Sequence, residues 1–145
     1  MTCVYVQLTF GDIFFTKAHG GQLRLVGGHS HTEGRLEIFL HGRWGTVCDD
    51  NWGMPDARVA CRQLGFPGVT SALVRFRGGT GPILMDNVAC RGTESRLASC
   101  RHAGVGRHNC GHHEDVGLVC AFSSGGKIPL LLCGSLNCSL KYLCT

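Results

Sequence analysis

Between residues 22 and 122 the chain changes its hydrophobic period several times. Leu23-Arg24-Leu25-Val26 alternates apolar and polar positions over a short strand and stops at Gly27-Gly28. Leu36-Glu37-Ile38-Phe39-Leu40 predicts a second strand, and His41-Gly42 supplies a tight turn into Arg43-Trp44-Gly45-Thr46-Val47, so the two strands make a hairpin. In an extended chain Trp44, Thr46 and Cys48 fall on one side and Gly45 and Val47 on the other. Cys48 then points the same way as a large apolar ring, which favours its burial. From Met54 the spacing becomes helical: Pro55 suits a first helical position, Asp56 favours the positive helix end, and Ala57, Ala60, Cys61 and Leu64 form one stripe that Gly65 ends. Residues 72–76 read as a further strand. The loop Gly78-Gly79-Thr80-Gly81-Pro82 follows, then a short extended run, Ile83-Leu84-Met85, that reaches Asp86. Residues 93–100 predict a short helix and residues 116–120 a final buried strand, with a loop rich in Gly, His and Asn between them.

These patterned residues set the domain at 22–122. Residues 1–21 form an N-terminal segment of open role, because they lack the basic start of a secretory signal and Asp12 interrupts their apolar run. Ser123-Ser124-Gly125-Gly126 has linker composition, and residues 123–145 are read as linker and cysteine-containing tail. The tail's apolar run, Ile128-Pro129-Leu130-Leu131-Leu132, is too short to span a bilayer, and Asn137 behind it is a glycosylation candidate.

Composition narrows the picture further. A chain of 145 residues holds one domain with tails, and its ten cysteines, an even number, permit complete pairing and point to an oxidising compartment. The net charge of +4 is modest and no Lys/Arg-rich run is present, so nucleic acid is not an expected partner. The 14 basic residues are mostly arginines scattered from Arg24 to Arg107, whose forked donors fit an anionic ligand although arginine is also an ordinary surface residue. The doublet Asp49-Asp50 closes a predicted strand between Trp44 and Trp52 and has two readings. One is a solvated turn in which an aspartate caps local N–H groups; the other is a pair of like charges kept together by water or a cation. No Gly-x-Ser-x-Gly elbow, His-Glu-x-x-His helix, Gly-x-Gly-x-x-Gly loop or P-loop occurs, so no catalytic site is expected.

Gly34-Arg35-Leu36-Glu37-Ile38, Trp44-Gly45-Thr46-Val47-Cys48-Asp49-Asp50, Ala60-Cys61-Arg62-Gln63-Leu64-Gly65-Phe66 and His113-Glu114-Asp115-Val116-Gly117-Leu118-Val119-Cys120 occur in that order. Together with Asp86-Asn87-Val88-Ala89-Cys90 and Gly106-Arg107-His108-Asn109-Cys110, they resemble a scavenger receptor cysteine-rich domain over about residues 23–121. Thr32 and Phe66 stand near the places where the family's eight-cysteine group carries its extra pair, so the resemblance is to the six-cysteine group. It implies an α+β fold, a curved antiparallel sheet cradling one main helix with a second short helix near residues 93–99. It also implies three disulfides, Cys48–Cys110, Cys61–Cys120 and Cys90–Cys100. The first two would close loops of about 60 residues, each worth roughly 4 kcal/mol in the chain-entropy account. Cys3, Cys133, Cys138 and Cys144 match nothing in the pattern: they pair among themselves, bridge to another chain in a disulfide-linked oligomer, or belong to an unrelated segment.

The resemblance further implies an extracellular module, secreted or the ectodomain of a membrane protein. Its expected ligands are proteins or anionic molecules such as bacterial surface polymers, polyanions and acidic glycans. Arg75 and Arg77, alternating on one predicted strand face, are the candidate ligand-binding residues, with Arg91, Arg96, Arg101 and Arg107 flanking the second half. The family's metal-binding members imply that Asp49, Asp50 and Glu114 hold one calcium ion, and that Asp50, Asp86 and Asn109 form a weaker second site because Asn87 replaces an acid found in some members. Asp115 and Asn51 are read as structural or capping residues. The eight histidines do not make a zinc site, since the implied disulfide claims Cys110 and zinc needs free thiolates. Two further readings stay open: a non-catalytic accessory domain of a larger secreted enzyme, of serine protease or lysyl oxidase type, and a disulfide-linked structural module.

Overall fold

The computed structural model describes residues 18–122 and two short strands, β1 (Cys3–Val4) and β8 (Leu143–Cys144). β1 and β8 pair antiparallel, with Cys3 opposite Cys144, in a unit distinct from the main one, Ala18–Ser124. The side-chain pairing of Cys3, Cys133, Cys138 and Cys144 and the position of Asn137 lie outside the described residues.

The main unit is built on β3 (Glu33–Leu40), which pairs with three partners. Its residues 34–38 face β2 (Leu23–Gly27), residues 33–35 face β7 (Gly117–Ala121), and residues 37–40 face β4 (Arg43–Val47), all antiparallel. β5 (Gly68–Ser71) extends the sheet beyond β7, and β6 (Ile83–Met85) joins the far edge of β4 in parallel. The His41-Gly42 turn forms as expected: both residues have positive φ, 48° and 79°, the backbone twist that a two-residue hairpin requires. Gly45 is fixed by close packing, because a Cβ there would lie 2.5 Å from Leu84 and from the Pro82 carbonyl of the β6 segment.

α1 (Met54–Gln63) starts one residue before Pro55, which lies in its first turn, and Asp56 does more than favour the helix dipole. Its buried carboxylate accepts from Gly53 N at 2.9 Å, capping the first turn, and from Cys90 N at 2.7 Å, tying the helix to the Cys90–Cys100 loop. The stripe Ala57, Ala60 and Cys61 is fully buried with Val59, and Leu64 packs at the edge of the same core. Opposite lie Leu36, Ile38, Val47, Met85, Leu97, Val116 and Leu118, each fully buried, and each such side chain contributes about 2 kcal/mol of hydrophobic stabilisation. The three disulfides are Cys48–Cys110, Cys61–Cys120 and Cys90–Cys100, as the resemblance implies.

Three expectations change. The second strand starts at Glu33 rather than Leu36, because pairing with β7 and β2 recruits Glu33, Gly34 and Arg35, which carry no apolar pattern. Residues 72–76 form no strand. The ladder ends at Ser71, and the following stretch is held instead by Val74 N donating to Gly117 O at 2.9 Å and by Trp52 Nε1 donating to Ala72 O at 2.7 Å. The short helix predicted over residues 93–100 is a single 3-10 turn, Leu97–Ser99, since the 10-residue Cys90–Cys100 loop leaves no room for more. Among the described residues no helix is long and apolar enough to cross a membrane.

Candidate metal centre

The end of β4 is stitched to the segment before β7. Val116 N donates to Val47 O at 2.8 Å, Asp49 N donates to Glu114 O at 2.9 Å, and Cys48 bridges Asp115 in the same antiparallel register. On the other side Cys48 N donates to Met85 O at 2.8 Å, which brings in Asp86. The Cys48–Cys110 disulfide closes the corner across a separation of 62 residues and sets Cys110 Sγ 3.6 Å from Asp50 Oδ2. Two strand ends and one loop thereby deliver acids that lie far apart in the sequence.

Two overlapping groups result. Oxygens of Asp49, Asp50 and Glu114 lie within 4.8 Å of one another, and so do those of Asp50 and Asp86. The nearby sulfurs of Cys48 and Cys110 are spent in their disulfide, so every free donor is a hard oxygen, the type that calcium takes. The Asn109 amide joins the second group: turned nitrogen-first it donates to Asp50 Oδ2 at 2.9 Å and Asp86 Oδ2 at 3.3 Å. That orientation satisfies the amide without a cation, whereas turned oxygen-first it would add one more oxygen donor to the set. Asp50 belongs to both groups. Partial withdrawal from water, followed by the charges of Asp86, Glu114 and Asp49, raises its carboxyl above the ordinary 3.8.

Three of the four acids also have a structural commitment. Glu114 Oε2 accepts from Gly111 N at 2.8 Å and closes the 3-10 turn His112–Glu114. Asp86 is buried, and its Oδ1 accepts from Asn87 N at 2.6 Å. Asp49 Oδ2 accepts from Arg75 Nη2, while Arg75 Nη1 reaches the Asp115 carbonyl at 3.4 Å. The structure thus joins Asp49, Asp50, Glu114, Asp86 and Asn109 at one corner and brings Arg75 to its rim. Arg77 is exposed on the same segment, and its carbonyl accepts from Arg35. Asp115 is buried away from the cluster, accepting from Gly79 N at 2.8 Å and pairing with His112 Nδ1 at 2.9 Å, a structural position.

Sequence reasoning left out the pairing of Asn51 with Asn87. Both follow an acid of the corner, both have positive φ (63° and 53°), and Asn51 Nδ2 donates to Asn87 Oδ1 at 2.7 Å. This bond ties the backbone just after Asp50 to that just after Asp86. An asparagine after an acidic strand end was the available signal, since asparagine tolerates the left-handed conformation. The contact between Arg75 and Asp49 had no local signal.

The scavenger receptor cysteine-rich domain model matches residues 26–121. Galectin-3-binding protein of Mus musculus is 52% identical over 122 residues, 83% of this chain and 21% of the relative. A scavenger receptor cysteine-rich domain superfamily protein of Patiria pectinifera is 49% identical over 112 residues, 76% of this chain and 10% of the relative. The chain therefore spans about a fifth or less of the length of these relatives. Among solved structures, the third such domain of murine neurotrypsin aligns with a TM-score of 0.62 and 48% identity, covering 70% of this chain and 96% of that one. The dimeric form of the domain of mouse MARCO aligns at 0.55 and 44%, covering 68% and 93%. With its three disulfides, its sheet and helix and its ordered motifs all matched, the chain belongs to the scavenger receptor cysteine-rich domain family.

Proposed function

We propose that this domain is a non-catalytic binding module for anionic extracellular ligands such as bacterial surface polymers, polyanions and acidic glycans, with calcium-assisted contacts at the acidic corner. Scavenger receptor cysteine-rich domains are extracellular modules of receptors and secreted proteins, and the disulfides suit that setting. The observation that carries the reading is the convergence of Asp49, Asp50 and Glu114 within 4.8 Å with only oxygen donors. Asp49 and Glu114 have structural partners of their own, but the repulsion among the three carboxylates is a cost that a bound cation would relieve. Asp49, Asp50 and Glu114 would hold it, with Asp50, Asp86 and Asn109 as a second, weaker set. A divalent cation there supplies a positive charge that an acidic ligand group can share. Arg75, at the rim, and Arg77, on the same segment, add forked donors for the same kind of group.

Calcium titration of the isolated domain, followed by thermal unfolding, tests the site. At calcium 100-fold above its dissociation constant the domain should gain about 2.7 kcal/mol, and Asp50→Ala and Glu114→Ala should each abolish most of that gain. Calcium stabilisation untouched by both substitutions sinks the site, and polyanion binding unchanged in excess chelator sinks the calcium contribution. A protein partner is the second reading, favoured by the 52% identity to a protein named for binding galectin-3. Binding of a protein rather than of dextran sulfate, insensitive to chelator, would select it.

A further inference from the structure

Arg75 and Asp49 belong to two different parts of the proposed binding surface, yet they touch. Arg75 Nη2 donates to Asp49 Oδ2, and Nη1 is held at 3.4 Å from the Asp115 carbonyl. The arginine side chain is 53% exposed and the Asp49 side chain only 13%. One edge of the guanidinium is therefore spent on the protein while the rest faces solvent. Asp49 in turn serves two masters: it is one of three clustered carboxylates and it is the counter-ion of Arg75. A carboxylate so placed lowers the positive potential that an incoming anion meets at Arg75 and occupies donors that a sulfate or carboxylate group would use.

We propose that Asp49 masks Arg75, and that neutralising Asp49 releases the guanidinium for anionic ligands. Resting on the calcium reading above, this makes cation and polyanion binding mutually reinforcing: a cation held by Asp49, Asp50 and Glu114 weakens the hold of Asp49 on Arg75. By linkage, polyanion tightens calcium by the same factor. The ion pair is half-exposed, so the coupling is modest, about three- to fivefold. The two chemistries are thereby joined through one carboxylate, without any movement of the backbone.

The test separates masking from general charge. Binding of the folded domain to immobilised dextran sulfate is measured in excess chelator for wild type, Asp49→Asn, Asp50→Asn, Arg75→Gln and the double variant Asp49→Asn/Arg75→Gln, each checked for native near-ultraviolet circular dichroism. Asp49→Asn and Asp50→Asn remove the same charge from adjacent positions, but only Asp49 contacts Arg75. The expected result is a three- to fivefold tightening by Asp49→Asn beyond that of Asp50→Asn, and its disappearance when Arg75 is glutamine. Equal gains from the two substitutions, or a gain that persists without Arg75, overturn masking. A parallel series in calcium should tighten wild type more than Asp49→Asn. If calcium changes nothing while the chelator series behaves as expected, the calcium reading falls and masking stands.

Discussion

Two carboxylates of this domain, both placed by strands, meet opposite surroundings. Glu37, near the middle of β3, is buried between Arg24, which donates to Oε2, and Arg35, which donates to Oε1 at 2.8 Å. Arg24 also lies 4.1 Å over the Trp44 ring, itself 5.4 Å from Phe39. Burial pushes the Glu37 carboxyl up, but the hydrogen bonds and charges of Arg35 and Arg24 outweigh it and hold it below the ordinary 4.5. Asp50 sits among three other acids and is raised. The sheet face is an electrostatically closed unit, two cations on one anion with an aromatic floor, and its residues are explained by folding. The acidic corner is open: among the described residues Arg75 pairs with Asp49 and the exposed His113 ring lies 3.7 Å from Glu114 Oε2, while Asp50 and Asp86 have no ion-pair partner. Uncompensated charge that folding does not explain is where a ligand is sought.

That contrast can be broken in three ways. The largest effect belongs to the double substitution Cys48→Ala/Cys110→Ala, which removes a 62-residue loop closure and should cost about 4 kcal/mol in denaturant unfolding. Hydrogen exchange should speed up at residues 49–50 and 109–114 while β2, β3 and β4 stay protected. Equal loss in both regions would show that they are one cooperative unit and that the comparison has no energetic content.

Glu37→Gln comes next. It leaves Arg35, a mostly buried side chain, without a counter-charge, and about 2 kcal/mol of stability should be lost at neutral pH. Because the folded value of Glu37 is depressed, its contribution is fully present above pH 4.5 and is lost as pH falls through the lower folded value. The gap between wild type and Glu37→Gln in chemical unfolding should close below that pH. A gap independent of pH would assign the loss to packing rather than charge.

The smallest effect has the opposite sign. The folded value of Asp50 is raised above 3.8, so in chelator its ionised form opposes folding above that raised value, and the penalty fades to nothing below pH 3.8. Asp50→Asn should slightly raise the melting temperature of the metal-free domain at neutral pH and lose this advantage in acid. A destabilising Asp50→Asn would mean that the carboxylate is satisfied as it stands, like Glu37, and the contrast between the two regions would fail.

Much of the fold was legible because local patterns answer to local physics. The hairpin at His41-Gly42 follows from turn chemistry, and α1 follows from Pro55 and the stripe Ala57, Ala60 and Cys61. The sequence also marked Asp49 and Asp50 as unusual, since two adjacent acids at a strand end repel in any conformation. What it left undetermined depends on contacts between distant segments. The first residues of β3 are strand only because β2 and β7 supply the hydrogen bonds, and residues 72–76 lack a ladder because β5 has already ended at Ser71. The three disulfide pairs came from family resemblance, because spacing leaves many pairings open. The grouping of Asp50 with Glu114 and with Asp86 likewise came from the resemblance, while tertiary structure alone decided that Asn51 would bond Asn87 and that Arg75 would spend one edge on Asp49. The physical reason is that charge interactions depend on separation in space: the disulfide and the β4–β6 pairing set those distances, and the order of residues along the chain does not encode them directly.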